Sequence, residues 1–171
     1  ILIALFYWYN ACSQGIAAYS DINGQFFVFD DGVFSRLEYQ AVQSYKAGFN
    51  QLGYIDNMGK LKWYKEGKKV IIEDYAISNY FVTDHLIAYT LGDQLVVVDA
   101  GERKTLKYNK GAFMVGDSLI SFYDSQNNFL KTYYNGKVYE IEDGLGGLPF
   151  KSMLSSDNLM AYVDRNDYLK M

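Results

Sequence analysis

A segment of about 35 residues repeats along this chain, and this repeat constrains the fold more than any other feature. Each copy contains a small residue followed by an aromatic one: Ala18-Tyr19, Gly53-Tyr54, Ala88-Tyr89, Ser121-Phe122 and Ala161-Tyr162. The aromatic residues, called anchors below, are separated by 35, 35, 33 and 40 positions. Self-similarity at such a period is typical of an architecture in which one small unit is stacked many times.

Within each copy, strand-like runs alternate with turn residues. Four of the five copies carry Asp two residues after the anchor, and a polar turn such as Asn23-Gly24 follows. The next runs are rich in Tyr, Phe, Val and Ile, which favour β-strands, and they are bounded by glycines that favour tight turns. No run of roughly ten residues shows sustained helical periodicity with caps. Four short antiparallel strands in ~35–40 residues predict a β-propeller blade.

Because the repeat covers nearly the whole chain, we predict one all-β domain over residues 1–171. We expect a β-propeller of about five four-stranded blades, or a fragment of a larger propeller of roughly six to eight blades. Residue 1 falls where a fourth strand would begin, and Met171 falls within a third strand. The five-bladed alternative therefore predicts that Ile1–Leu5 pair with Tyr168–Met171 and close the ring. A signal-peptide remnant is the competing interpretation of the apolar run Ile1–Tyr9.

The repeat also resembles a known family. Segments such as Gln51–Asp56 and Leu119–Asp124, followed by a polar turn and a Tyr-containing strand that ends in Gly-Lys, resemble the blades of TolB-like propellers in bacterial envelope proteins. The resemblance covers residues 15–171 and implies the fold, but no single activity, because the functions of that family differ widely. The Tyr- and Asn-rich style is similar to that of sequences from Bacteroidetes, whose secretion translocons carry periplasmic plugging and accessory proteins.

Composition excludes several functional classes. Half of the 171 residues are hydrophobic (50%), which excludes a disordered chain. The net charge of −4, from 16 basic and 20 acidic residues, disfavours nucleic acid as a partner. The single cysteine, Cys12, and the single histidine, His85, exclude a disulfide framework and Cys- or His-rich metal sites. Ile1–Tyr9 is too short for a membrane-spanning helix of ~20 residues. We therefore expect no metal, no cofactor and no membrane-spanning segment.

Repeated carboxylates are the first candidates for chemistry. One set follows the anchors (Asp21, Asp56, Asp124 and Asp164), and a second set precedes them by five residues (Asp84, Asp117 and Asp157). Five-bladed glycosidases place two or three carboxylates at the axis, and a ring of carboxylates could hold Ca²⁺. Catalytic acids have different roles, however, and should break a repeat rather than follow it. Hydrogen bonding within turns is the simpler interpretation of both sets.

Aromatic residues are the main candidates for binding. Two pairs, Trp63-Tyr64 and Tyr133-Tyr134, lie just before the glycine turns of two blades. Since side chains alternate along a strand, one of each pair must face the core between blades, and its outward partner could bind protein or sugar. The glycine-rich insertion Gly144–Phe150 offers a second contact surface, through Leu145, Leu148 and Pro149.

These features predict a non-catalytic, protein-binding propeller. We expect an accessory or plugging subunit of a bacterial cell-envelope complex, such as a Bacteroidetes outer-membrane secretion translocon, in the periplasm or at the outer membrane. His85 would need a nucleophile and an orienting partner from other blades to act as a base. The alternative is a carbohydrate-binding or glycoside-hydrolysing five-bladed propeller, with Trp63 or Trp8 stacked on sugar. Two axial carboxylates ~5–9.5 Å apart would favour that enzyme, and an obstructed axis would favour a scaffold.

Overall fold

The computed structural model describes residues 15–77, 79–107, 111–144 and 147–171. Every regular element in these ranges is a β-strand, which confirms the all-β prediction. The strands are β1 Ala17–Ser20, β2 Phe26–Asp30, β3 Val33–Glu38, β4 Ser44–Ala47, β5 Leu52–Ile55, β6 Leu61–Lys65, β7 Lys68–Glu73, β8 Asn79–Val82, β9 Leu86–Leu91, β10 Gln94–Asp99, β11 Glu102–Lys107, β12 Phe113–Val115, β13 Leu119–Asp124, β14 Phe129–Tyr134, β15 Lys137–Asp143, β16 Phe150–Ser156, β17 Leu159–Asp164 and β18 Leu169–Lys170.

Consecutive strands form antiparallel sheets, one for each copy of the repeat. The described residues contain three four-stranded sheets, β4–β7, β8–β11 and β12–β15, between the three-stranded sheets β1–β3 and β16–β18. We call these sheets blades 1 to 5 in chain order. Within the described residues, the first strand of blade 1 carries its anchor, whereas in the other blades the anchor lies on the second strand.

The anchors occupy equivalent positions, but they are not equally buried. Tyr54, Tyr89, Phe122 and Tyr162 are at most 4% exposed, as the repeat predicts. Tyr19 differs, since it is 43% exposed and stacks on Phe27 of its own blade at 5.4 Å between ring centroids. An anchor is buried by the blade that precedes it, and no described blade precedes Tyr19.

Each of the four buried anchors is covered by an apolar residue from the preceding blade. This residue is the first or second of the strand after the anchor strand, in the position held by Phe26, Leu61, Leu95 and Leu130. All four are at most 4% exposed and share a hydrophobic cluster with the next anchor in the chain. Phe26 and Tyr54, for example, have ring centroids 5.1 Å apart. The core is therefore a series of layers between blades.

The first strands of neighbouring blades lie close together, β4 beside β8 and β12 beside β16. Two glycines permit this approach. A Cβ on Gly48 would lie less than 3.0 Å from the Thr83 backbone, and one on Gly116 would meet the Ser156 backbone equally closely. Both glycines directly follow the first strand of their blade, so the repeat places these close contacts at equivalent positions.

The closed five-bladed ring is not confirmed. Ile1–Leu5 lie outside the described residues, so their pairing with Tyr168–Met171 stays a prediction. In blade 5, Leu169 occupies the position of the four buried apolar residues, yet it is 67% exposed. Tyr19 at the other end is also open to solvent. The described blades thus leave one apolar face open at each end of the series.

Candidate functional site

Polar contacts between blades are built around the anchors. In three blades the anchor hydroxyl donates to a Glu of the preceding blade: Tyr54 to Glu38 at 2.8 Å, Tyr89 to Glu73 at 3.1 Å and Tyr162 to Glu142 at 2.7 Å. Each Glu lies at a β-bulge, where the outermost strand shifts its register. A bulge re-aims the side chain, and here it carries the carboxylate to the next blade. Burial and Glu142 raise the pKa of Tyr162 to about 12.

Between blades 3 and 4, a different contact replaces the hydrogen bond from the anchor to a glutamate. Lys107 occupies the position of these glutamates, and the anchor that follows it is Phe122, which has no hydroxyl to donate. The ammonium of Lys107 donates instead to the backbone carbonyl of Tyr123, and burial lowers its pKa. The carboxylate acceptor and the hydroxyl donor of the other blades are therefore both absent here. No buried side-chain polar atom of the described residues lacks a hydrogen-bond partner.

The carboxylates that follow the anchors hold turns, as the turn interpretation predicts, and three of the four also bind a lysine. Asp56 accepts backbone hydrogen bonds from Met58 and Lys60, both at 2.9 Å, and its other oxygen binds Lys62 at 2.8 Å. Lys62 also reaches Glu38 at 2.8 Å, which joins the turn to the preceding blade. The same turn contacts are present at Asp21, Asp124 and Asp164.

The electrostatic setting of these carboxylates does not suit a general acid. Burial favours the neutral form of Asp56, but the bonds from Lys62 and the backbone outweigh it and keep the pKa of Asp56 below its ordinary value. The pKa values of Asp124 and Asp164 are lowered by similar contacts. A glycosidase acid needs a raised pKa to hold its proton at neutral pH.

Acid should therefore weaken the contacts between blades. A carboxylate whose pKa is lower in the folded state contributes stability above its unfolded pKa, and that stability is lost as pH falls through the folded value. Since the pKa values of Glu38 and Asp56 are both lowered, we expect a steady melting temperature from pH 7 to about 5 and a decline below about pH 4. Circular dichroism melts across this range would measure it. Lys62→Met should flatten the decline; equal acid sensitivity of both proteins would contradict the assignment.

The second set of aspartates joins the turns of neighbouring blades. The Asp84 carboxylate accepts from the Phe49 backbone of blade 2, and the Asp117 carboxylate accepts from the Asp84 backbone at 2.8 Å. Asp157 continues the series through its backbone carbonyl, which accepts from Ser118 at 3.1 Å. These carboxylates face successive turns and do not converge on one point. Among the described residues, no group of three or more His, Cys, Asp or Glu side chains could hold a metal ion.

His85 is held at this edge of the molecule without the geometry of a catalytic relay. Its Nδ1 lies 2.6 Å from Asp117 and 3.3 Å from the Ser118 hydroxyl. A Ser-His-Asp relay needs the hydroxyl and the carboxylate on different ring nitrogens, because the proton must pass through the imidazole. His85 and Ser118 line a polar cleft of about 330 Å³ together with Asp99 and Tyr134.

The four aromatic candidates separate into buried and accessible residues. Tyr64 and Tyr133 are 5% and 1% exposed, and their hydroxyls donate to Asp30 and Asp99 of the preceding blades. They serve the core between blades and are not available at the surface. Trp63 is partly buried against blade 3, with its Nε1 donating to Gln51 at 2.9 Å. Tyr134 is 44% exposed and remains accessible to a partner.

The glycine-rich insertion offers less surface than its sequence predicts. Leu148 is 54% exposed, but Pro149 is buried, and Leu145 lies outside the described residues. Arg165 holds this loop by donating to the carbonyls of Gly144 and Leu148. The side chain of Leu148 is thus the part of this candidate surface that the structure places in solvent.

An open groove with a volume of about 670 Å³ lies between blades 4 and 5. Its walls are mostly apolar. They include Tyr134, Tyr139, Ile141, Met160, Tyr162, Lys170 and Met171. β18 lies at its edge and has no neighbouring strand on its outer side among the described residues, whereas the equivalent strands of blades 2, 3 and 4 are covered by β7, β11 and β15.

Sequence reasoning selected Tyr134 but missed the rest of this groove. Tyr139 and Ile141 alternate with charged residues on β15, and they are 45% and 39% exposed. That alternation is the signal that could have identified them, since apolar residues on an outermost strand usually need a cover. Among the described residues, blade 5 offers only the short strand β18 beside them.

The comparisons with known proteins concern the fold. A family model described as "10-bladed beta propeller domain" matches residues 10–171. This confirms the propeller repeat, and the TolB-like resemblance stays a prediction. No curated protein matches the chain. No helix in the described residues is long and apolar enough to cross a membrane.

Solved propeller structures resemble the chain at low identity. Human WBSCR16 has a TM-score of 0.52 at 6% identity, over 91% of this chain and 58% of its own. Kluyveromyces lactis Hsv2 has a TM-score of 0.48 at 13% identity, over 91% and 55%. The structure of Kap60 bound to yeast RCC1 (Prp20) gives 0.48 at 10%, over 91% and 53%. The chain therefore spans slightly more than half the length of these structures.

Proposed function

Because this chain belongs to the family of 10-bladed β-propeller domains, we propose that it is a non-catalytic, protein-binding propeller. The groove between blades 4 and 5 receives an extended segment of the partner protein. The observation that carries this proposal is the apolar lining of the groove, in which Tyr134, Tyr139 and Ile141 are all at least 39% exposed. Propeller folds serve many functions, so a function must be inferred from this site rather than from the fold.

The groove favours one kind of occupant. An extended segment fits an open groove that is walled by strands, with Tyr139 and Ile141 of β15 on one side and Lys170 of β18 on the other. Alternate side chains of that segment then point into the groove, because strand side chains alternate with a period of two. Lys170 is already bound to Glu142 at 2.8 Å and Asp164 at 3.2 Å, so it does not call for an acidic ligand. The expected segment therefore carries aliphatic or aromatic residues at alternate positions.

We further propose that the partner belongs to a bacterial cell envelope. The protein would act as an accessory or plugging subunit of an envelope complex, such as a Bacteroidetes outer-membrane secretion translocon, in the periplasm or at the outer membrane. The TolB-like wording of the repeat and its Tyr- and Asn-rich style support this setting. Fractionation of the native host tests it directly, and recovery in the cytoplasm would contradict it.

The contacts of the candidate carboxylates and of His85 support a non-catalytic function. The carboxylates after the anchors are bound to turn backbones, and Asp56, Asp124 and Asp164 also bind lysines. His85 shares one ring nitrogen between Asp117 and Ser118. The carbohydrate alternative predicts binding to a glycan panel or release of reducing sugar, and either result would favour it over a protein-binding propeller.

A crosslinking experiment tests the groove itself. A photo-crosslinking amino acid placed at Tyr134 should capture one partner in the native host, and the same group at Met58 should not. Met58 is the matched control because it is 73% exposed on a turn of blade 2. Ile141→Asp should reduce the crosslink about tenfold or more, since a carboxylate buried against an apolar segment costs more than ~1.4 kcal/mol. Equal crosslinking from both positions, or no effect of Ile141→Asp, would contradict the groove as the binding site.

A further inference from the structure

A basic segment of this acidic chain lies in blade 2, at residues 60–69. It carries five of the 16 basic residues and one acid, Glu66, although the net charge of the chain is −4. Three of its lysines form ion pairs with carboxylates of the fold: Lys60 with Asp74, Lys62 with Asp56 and Glu38, and Lys69 with Glu38. The other two, Lys65 and Lys68, form no ion pair among the described residues.

Lys65 and Lys68 lie directly opposite each other, where β6 turns into β7. Like charges at opposed positions of neighbouring strands are destabilising. Glu66 lies in the turn between them, but within the described part of the chain it forms no ion pair with either lysine. The fold therefore holds two ammonium groups side by side at a cost in stability, and no described carboxylate offsets it.

The equivalent turn of blade 3 also opposes two like charges, but there the fold compensates them. Asp99 and Glu102 are cross-strand partners. The Tyr133 hydroxyl donates to Asp99 at 2.7 Å, and Lys104 binds Glu102 at 3.3 Å. Natural proteins break such local rules without internal compensation mainly at functional sites. The lysine pair of blade 2 is therefore a candidate for binding.

Both lysines line a cleft between blades 2 and 3, with a volume of about 270 Å³. The cleft is also lined by Trp63 and Val70 of blade 2, and Val70 is 48% exposed. Its opposite wall is the turn Ala100-Gly101 of blade 3, which packs so closely that a Cβ on Gly101 would lie 3.6 Å from the Trp63 ring. The cleft thus places two cations beside an aromatic and an aliphatic side chain.

We propose that this cleft binds an acidic segment of a protein partner. A carboxylate of Asp or Glu lies between the ammonium groups of Lys65 and Lys68, and the aliphatic part of the segment packs on Trp63 and Val70. Charge complementarity selects this occupant, because a carboxylate removes the repulsion that the fold leaves between the two lysines.

This site goes beyond the groove proposed above. The groove lies between blades 4 and 5 and shares no lining residue with the cleft between blades 2 and 3. Capture of a partner at Tyr134 and binding of an acidic segment here are therefore separate measurements, and either one can fail without the other.

Titration calorimetry with an oligoglutamate peptide tests the proposal. The 171-residue chain should bind the peptide at low ionic strength, and added salt should weaken binding because it screens exposed charges. Lys65→Gln and Lys68→Gln should each weaken binding roughly fivefold, as expected for the loss of one exposed ion pair. Lys137→Gln is the matched control, since Lys137 begins the equivalent strand of blade 4 opposite Tyr134. Absence of binding, or equal weakening by Lys137→Gln, would overturn the proposal.

Lys68→Glu separates binding from stability. It places a carboxylate opposite Lys65, so it should raise the melting temperature and abolish peptide binding. A variant that melts at a lower temperature, or that still binds the peptide, would contradict the assignment of the lysine pair.

Tryptophan fluorescence locates the bound peptide. The chain has two tryptophans, so Trp63 is the sole emitter in a Trp8→Phe background. The peptide should change the emission of Trp63, whereas inorganic phosphate at the same concentration of charge should not. An equal response to phosphate would reveal a general anion effect and overturn the proposal, and so would a peptide that binds without changing the emission.

Discussion

Replacing Tyr54 by Ala is expected to lower the free energy of unfolding by about 3–5 kcal/mol, the usual range for truncating a buried large aromatic residue. Tyr54 is 0% exposed and packs on Phe26 from the preceding blade. Its hydroxyl donates to Glu38, which also binds Lys62. The substitution therefore removes apolar packing and a charged hydrogen bond from one layer between blades. Urea unfolding followed by circular dichroism would measure the loss.

Two further variants separate the causes. Tyr54→Phe keeps the ring and removes the hydroxyl, so it should cost about 1.5–3 kcal/mol, as expected for a hydrogen bond to a charged group. Tyr75→Ala is the control, because Tyr75 is 72% exposed, and it should cost less than about 0.5 kcal/mol. Equal losses for Tyr54→Ala and Tyr75→Ala would show that the anchors do not hold the blades together.

Gly48→Ala is expected to lower the free energy of unfolding by about 3 kcal/mol or more, at the upper end of the range for overpacking. The added methyl group would lie less than 3.0 Å from the carbonyl oxygen, carbonyl carbon and following amide nitrogen at Thr83 and Asp84. These are backbone atoms of the neighbouring blade, so they can yield only if the two blades separate. The effect should appear as a lower urea midpoint.

Gly147→Ala is the matched control for this substitution. The nearest atom to its new methyl group is the guanidinium nitrogen of Arg165 at 3.1 Å, which lies at the end of a flexible side chain. We expect a change within about 1 kcal/mol. If Gly48→Ala were as mild as this control, the first strands would not be in the close contact that the fold requires.

Local features of the site were predictable from the sequence. Asp21, Asp56, Asp124 and Asp164 were expected to hold turns, and their carboxylates accept backbone hydrogen bonds from residues two to four positions later. Such contacts depend on short sequence separation and on the few conformations that a hairpin turn allows. No distant residue is needed to form them.

The availability of the aromatic residues could not be predicted in this way. Alternation along the strand indicates that Tyr133 and Tyr134 face opposite sides, but it does not say which side is covered. Blade 3 buries Tyr133, while the side of Tyr134 opens on the groove beside blade 5. Pro149 is buried although its loop is rich in glycine. These outcomes depend on residues that lie in other blades.

By itself, the sequence determined the all-β repeat, the positions of its anchors and the local role of the carboxylates after them. The period of the repeat and the alternation of side chains along a strand are both properties of short segments. Each blade forms from strands that are consecutive in the chain. Only the tertiary structure decided which apolar faces lie open, at Tyr19, at Leu169 and in the groove of Tyr139 and Ile141. The physical reason is that a blade is stable only against its neighbours, so the exposure of its faces is set by which neighbours are present and not by its own residues.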